Sequence, residues 1–354
     1  MELHVAMGPL WFAPIVLAFL TAVAATMVLA LASGRRLFGA AAPEHGPRLP
    51  AFMGGIAIIV AFVAAAAVTG MRTDARDLAF MMALMFAVGF WSSVAHTREG
   101  VELAVQVIAV GLLARLGDVE VRTLGDIVGT GPIRMGPLAL PATVVAMVAI
   151  AHSLTMMDDL EGFRATFAFT ALAWVNAAIA AGGPEPLSHA ALFLEAALAG
   201  YLLSTVLLRG RSPSRVFLGG AGGLMIGFAL AWLLIGVTQG PGRGIPPIAA
   251  LFFVLLPLAD GASVALRQIE RGENPLERTD MRIHHYLFSR GFTSAQALVI
   301  LVAASALLGA VGYFGWRLGV PQPALFWLAV FGFLVYHAWI KEAWRRLRGV
   351  YFVI

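Results

Sequence analysis

Long apolar runs separated by short loops that hold most of the charge dominate this chain. They fall at about 8–31, 52–70, 78–95, 101–117, 138–156, 163–182, 189–208, 217–237, 246–266, 294–316 and 323–340. Each is close to the roughly 20 residues a helix needs to cross the hydrocarbon of a bilayer. The pattern predicts an all-α, polytopic membrane bundle of about eleven transmembrane helices. Orientation follows from the basic residues, which are retained on the cytoplasmic side. Of the 24 Lys and Arg, 17 fall in loops after odd-numbered runs or in the C-terminal tail, and 7 fall on the opposite side. The N-terminus is therefore expected to be periplasmic and the C-terminus cytoplasmic. No basic residue precedes the first run, so Met1 to Leu31 reads as a retained span rather than a cleaved signal.

Composition sharpens this picture. The 354 residues are 60% hydrophobic and 12% charged, with a mean hydropathy of +0.86, which excludes an ordinary soluble domain. Packing in lipid relies on small residues at helix contacts, in keeping with 38 glycines. The absence of cysteine removes thiol catalysis, disulfides and iron–sulfur clusters. A pI near 9.9 with a net charge of only +4 points to anionic headgroups or a phosphorylated substrate. Nucleic acid is not an expected partner, because the basic residues are scattered over short loops. No internal repeat or linker divides the chain, so residues 1–354 read as one membrane domain. The Gly- and Pro-rich loop at 118–137 lies on the outer side, as a re-entrant or surface segment.

Three polar segments stand out on the inner side. In HSLTMMDDLEGF, Asp158, Asp159 and Glu161 close the inner end of the fifth run. On a helix Asp158 and Glu161 would share a face and could bind one Mg²⁺ through water and substrate phosphate, or they form a solvated acidic helix end. In RSPSRVFLGGAGG, Arg211 and Arg215 precede a glycine-rich helix start that could face a phosphate, or could serve close helix packing. In LADGASVALRQIERGENPLERTDMRIHHYLFSRGF, the residues Asp260, Arg267, Asp280, Arg282, His284 and His285 could meet a pyrophosphate and move a proton, or form a juxtamembrane loop on acidic lipid. The adjacent histidines lack the spacing of a helical zinc pair. Glu102 and Glu195 read as helix-end or inter-helix polar contacts, and Tyr336 and His337 as interfacial anchors.

The order of these motifs resembles the polyprenyl-phosphate N-acetylhexosamine-1-phosphate transferase family, the glycosyltransferase family 4 enzymes that start bacterial envelope polysaccharides. LPAFMGGIAI at 49–58 is similar to that family's Pro-Arg-x-Gly-Gly segment, and TMMDDLEGF at 155–163 to its Asp-Gly-Leu-Asp-Gly stretch, with Asp158 and Glu161 on the two aspartates. VFLGGAGGLMIGFALA at 216–231 is similar to its Phe-Met-Gly-Asp-Ser-Gly-Ser segment. Residues 256–287 follow its closing loop without a gap, through Pro275 to His284 and His285. The likeness covers a core of about 35–298, with two further spans at 294–340. It implies eleven spans in the bacterial inner membrane and transfer of a sugar 1-phosphate from a UDP-sugar to undecaprenyl phosphate. It also implies Mg²⁺ or Mn²⁺, with Asp158 and Glu161 on ligand positions; with the adjacent Asp159 these are the candidate metal ligands and, together with His284 and His285, the candidate catalytic groups. Arg211, Arg215, Arg267, Arg282, Asp260 and Asp280 then bind substrate. Segments 89–95, 155–163, 211–223 and 267–290 should gather at one cytoplasmic cleft.

Several positions depart from the pattern. The family's paired aspartates at the third span fall on Ser92 and Ser93, its metal-binding aspartate on Gly220, and the asparagine before its acidic motif on Thr155. The arginine of the second-span motif falls on Phe52, and the first histidine of the closing run on Arg282. Two readings stay open on the sequence: a divergent transferase whose acidic run rebuilds the metal site, with Asp159 the extra carboxylate, and a catalytically inactive paralogue. The second would bind polyprenyl phosphate or nucleotide-sugar as a partner or regulator, as a homodimer or with envelope-assembly proteins. A transporter is disfavoured, since no broken-helix pairs recur in two halves.

Overall fold

In a computed structural model the described residues are 12–34, 52–70, 73–95, 97, 99–155, 162–183, 185–208, 218–239, 244–275 and 281–351. They form thirteen helices: α1 (Ala13–Gly34), α2 (Met53–Val68), α3 (Thr73–Ala95), α4 (Glu99–Leu116), α5 (Ala139–Thr155), α6 (Phe163–Ala180), α7 (Glu185–Leu208), α8 (Gly219–Gln239), α9 (Pro247–Leu251), α10 (Leu255–Ile269), α11 (Ile283–Ser289), α12 (Ser294–Arg317) and α13 (Gln322–Tyr351). Among the described residues, eight helical stretches are long and apolar enough to cross a membrane, and α2 is an apolar helix of shorter length. The chain is a polytopic, helical membrane protein. Strands are absent among the described residues apart from one isolated bridge, between Thr123 and Arg134.

The expected single run at 246–266 is instead two helices, and Pro257 gives the reason. Proline cannot donate to the carbonyl four residues back, and its ring crowds that carbonyl. A continuous helix would place Pro257 in its interior. With a break at Phe252–Val254, the proline falls in the first turn of α10, where its missing N–H costs nothing. Pro246 and Pro247 open α9 in the same way. Where the sequence suggests only a loop, a short helix, α11, carries the two histidines. Thr293 and Gln296 then start α12 with reciprocal side-chain caps.

The centre of the bundle is α8, buried along nearly its whole length and embraced by α2, α3, α5 and α6. Glycines let these backbones meet. A Cβ on Gly89 would lie 2.7 Å from the Ala221 Cα, one on Gly55 3.1 Å from the Gly222 Cα, and one on Gly227 2.6 Å from the Ala151 Cα. The glycine-rich start of α8 is thus a packing surface, as small residues are in membranes. Gly227→Val is accordingly expected to force α5 from α8 and destabilise by about 1–3 kcal/mol. Thermal unfolding in detergent reads this, with Gly332→Ala as a control, since a Cβ there meets nothing within 4 Å.

On the far side, the 118–137 loop is pinned rather than loose. The Gln239 side chain accepts from the Arg122 and Thr123 N–H groups and donates to the Thr123 carbonyl, and Gln322 accepts from the Asp126 N–H. The loop therefore joins the end of α8 to the start of α13.

Candidate functional site

Helix packing sets α3 against α8, α8 against α5 and α5 against α10. Gly89 of α3 meets Ala221 of α8, and a Cβ on Gly261 of α10 would sit 3.4 Å from the Ser153 Cβ of α5. Of the four expected segments, 89–95 and 211–223 therefore meet, at Gly89 and Ala221. Of the candidate residues, Asp158, Asp159, Glu161, Arg211, Arg215 and Asp280 lie outside the described residues. The acidic run is bracketed by Thr155, which ends α5, and by Gly162, whose φ of +79° turns the chain into α6.

Around Ser92 a chain of polar side chains crosses three helices. The Ser92 hydroxyl donates to Glu102 Oε2 at 2.5 Å, and Gln106 Nε2 donates to Glu102 Oε1 at 2.9 Å. Because the Ser92 proton is committed to Glu102, Thr97, 2.8 Å away, must donate to Ser92. The Gln106 carbonyl oxygen, in turn, can only accept, so His152 at 2.8 Å donates through Nε2. Every donor therefore points toward one carboxylate, and Glu102 ties α3, α4 and α5 together. It is an inter-helix contact, as expected, and so is Glu195, which accepts from Asn176 at 2.5 Å between α7 and α6. Glu102→Gln would set an amide donor against Ser92 or Gln106. The expected loss is about 1–3 kcal/mol, read as a lower unfolding midpoint.

At the start of α6, Arg164 is buried and donates to the Gly219 carbonyl at 2.9 Å. Its guanidinium fills the space beside Gly223, where any Cβ would collide with it. Sequence reasoning counts Arg164 only as a loop cation; its pairing with a glycine notch on another helix has no local signature.

The third cluster gathers four of the expected residues. Asp260, Arg267, Arg282 and His284 are all buried, with Asp260 and His284 at 0% exposure. Asp260 Oδ2 pairs with Arg282 at 3.5 Å, and its Oδ1 accepts from the Tyr336 hydroxyl at 2.6 Å and the Ile283 N–H at 3.3 Å. Arg267 donates to the Ser263 carbonyl at 3.1 Å and the Met281 carbonyl at 2.7 Å. Together these bonds fasten the chain before α11 onto α10. In this arrangement Arg267 and Arg282 hold the histidine helix in place from within. His285 is half-buried, its ring centroid 4.2 Å from that of His284. Tyr336 and His337, read from the sequence as interfacial anchors, instead point into this cluster; His337 Nδ1 lies 3.0 Å from the Ser263 hydroxyl. Lys341, hydrogen-bonded to exposed Glu270, holds that carboxyl below its usual range. This tie is present at neutral pH and is lost as the pH falls through the lowered value.

A family model described as glycosyl transferase family 4 matches residues 75–238, from α3 to the end of α8. An undecaprenyl-phosphate alpha-N-acetylglucosaminyl 1-phosphate transferase of Yersinia pestis is 30% identical over 244 residues, 69% of this chain and 66% of the relative. The chain belongs to glycosyl transferase family 4. Proteins of the same description from Escherichia coli K12 and Haemophilus influenzae are 30% identical over 244 residues and 27% over 274 residues. The match spans 66% of the Yersinia and Escherichia relatives, just under two thirds of their length, and 77% of the Haemophilus one.

The family resemblance implies a divalent metal, and the described part of the site does not fit one. Ser92 gives its proton to Glu102, Ser93 donates to the Gly89 carbonyl at 2.8 Å, and Gly220 has no side chain to offer. Among the described residues, no three His, Asp or Glu side chains gather in a way that could hold a metal. The remaining clustered carboxylates are Asp158, Asp159 and Glu161.

Proposed function

We propose that this glycosyl transferase family 4 member transfers a sugar 1-phosphate from a UDP-sugar to undecaprenyl phosphate at the cytoplasmic face of the bacterial inner membrane, in cell-envelope polysaccharide biosynthesis. The observation that carries the reading is the 30% identity to such transferases along 69% of the chain. An oxygen of the lipid phosphate attacks the sugar-linked phosphorus, the bond to the bridging oxygen breaks, and UMP leaves. Both reactants are anions, so the site must supply positive charge and alignment. Arg211 and Arg215 are assigned to the substrate phosphates, and Asp280 of the closing loop to substrate binding. Arg267, Arg282 and Asp260 serve the substrate by holding α11, which presents His285 for proton transfer next to buried His284. Asp158, Asp159 and Glu161 are assigned as the holders of Mg²⁺ or Mn²⁺, which when bound neutralises phosphate charge.

The topology proposed with this function is eleven crossings with the N-terminus periplasmic and the C-terminus cytoplasmic. In that count α4 and α2 each cross, and α9 and α10 make one interrupted crossing. Purified protein given undecaprenyl phosphate, a panel of UDP-sugars and Mg²⁺ or Mn²⁺ is expected to release UMP with at least one sugar. Binding of the lipid phosphate with no UMP from any sugar would replace this reading with that of a non-catalytic binding protein.

A further inference from the structure

The last helix, α13, faces outward over most of its length: Trp327, Phe331, Leu334, Val335 and Trp339 are all exposed. In a membrane such a helix needs no polar side chains in its spanning part, and each one buried there must find a partner. Two consecutive residues break the apolar pattern, and both reach α10. The Tyr336 hydroxyl donates to Asp260 at 2.6 Å, and His337 meets Ser263 at 3.0 Å. One turn further on, Lys341 pairs with Glu270, also at the end of α10, at 2.7 Å. Around α11 itself, Tyr286 packs edge-on against Trp339, with ring centroids 5.2 Å apart.

Asp260 makes these contacts consequential. It is wholly buried, and from α10 it reaches the Ile283 N–H, a donor in the first turn of α11 that no intrahelical carbonyl can accept. It also pairs with Arg282, which occupies the N-cap position of the same helix. One carboxylate thereby sets both the start and the direction of α11, and the Tyr336 hydroxyl sets the carboxylate. A phenylalanine would fill the same volume and leave Asp260 held only by Arg282 and the Ile283 N–H.

We propose that Tyr336 is a positioning residue: acting through Asp260, it fixes α11 and so the place of His284 and His285, which makes α13 part of the working site rather than an added anchor. The effect on turnover rests on the transfer activity proposed above; the placement of α11 does not.

The test compares Tyr336→Phe with Phe331→Leu, a change on the outward face of α13. Full-length protein in detergent is treated with diethyl pyrocarbonate, and modification of His284 and His285 is followed by peptide mass spectrometry. In wild type and Phe331→Leu, buried His284 should react far more slowly than His285. In Tyr336→Phe, His284 modification should rise about 10-fold, the scale expected for losing one hydrogen bond to a charged group, while the protein stays folded at the assay temperature. Unchanged protection of His284 would overturn the proposal whether or not the protein transfers sugar phosphate. Where wild type does transfer, Tyr336→Phe should lower kcat about 10-fold with KM for the UDP-sugar little changed. An unchanged kcat would overturn the positioning role, whereas a wild type without transfer but with the histidine result would fault only the proposed activity.

Discussion

Asp260→Ala is expected to destabilise the protein by about 3–5 kcal/mol, a larger loss than either Gly227→Val or Glu102→Gln should cause. The carboxylate is wholly buried, and its removal takes a partner from the Arg282 guanidinium, the Tyr336 hydroxyl and the Ile283 N–H at once. A buried charge that loses its counter-charge costs more than the pair contributed, because the desolvation of the survivor is no longer offset. Denaturant or thermal unfolding in detergent measures the loss. Replacing Asp260 and Arg282 together with apolar residues of similar volume should recover most of the stability, but not the placement of α11. A single Asp260→Ala protein as stable as wild type would mean that the cluster contributes nothing to the fold.

Asp158→Asn and Glu161→Gln are each expected to lower turnover about 10² to 10³-fold, the usual cost of removing one group that stabilises charge developing in a transition state. The reason is one of supply. Ser92, Ser93 and Gly220 offer no carboxylate, and Glu102 is committed to Ser92 and Gln106. Phosphoryl transfer between two anions then depends on the acidic run between Thr155 and Gly162. Steady-state kinetics separates the effects: kcat should fall much more than KM rises. Full activity in both variants would move the chemistry away from this segment and leave the family likeness without its acidic centre.

Most of the helical plan is legible in the sequence, because hydrocarbon demands long apolar stretches with satisfied backbones, and ten of the eleven expected runs correspond to continuous helices. The eleventh differs at Pro257: hydropathy averages over a window and cannot see that one missing N–H divides α9 from α10. For the glycines of α8, spacing alone leaves phosphate binding and packing open; the approaches to Gly55, Gly89 and Ala151 are packing contacts. The buried cluster is legible in part. Asp260, Arg267, Arg282 and His284 stand out as polar residues near the membrane, but as groups facing a ligand rather than each other. Their partner Tyr336 lies 76 residues from Asp260 along the chain, and a tyrosine near a helix end reads as an interfacial anchor unless the neighbouring helix is known. Glu102 reads as a contact, but its network draws Ser92 and His152 from two other helices, a pairing that periodicity does not encode.

The most direct test of the account follows the phosphorus atom. UDP-sugar labelled with ³²P at the sugar-linked phosphate is given to the purified protein with undecaprenyl phosphate in detergent, and the lipid and aqueous phases are separated. Sugar 1-phosphate transfer carries the label into the lipid phase as undecaprenyl diphosphate sugar, with an equal amount of UMP in the water. Label that stays in the aqueous phase, as UDP or as unreacted UDP-sugar for every sugar tried, would contradict the account.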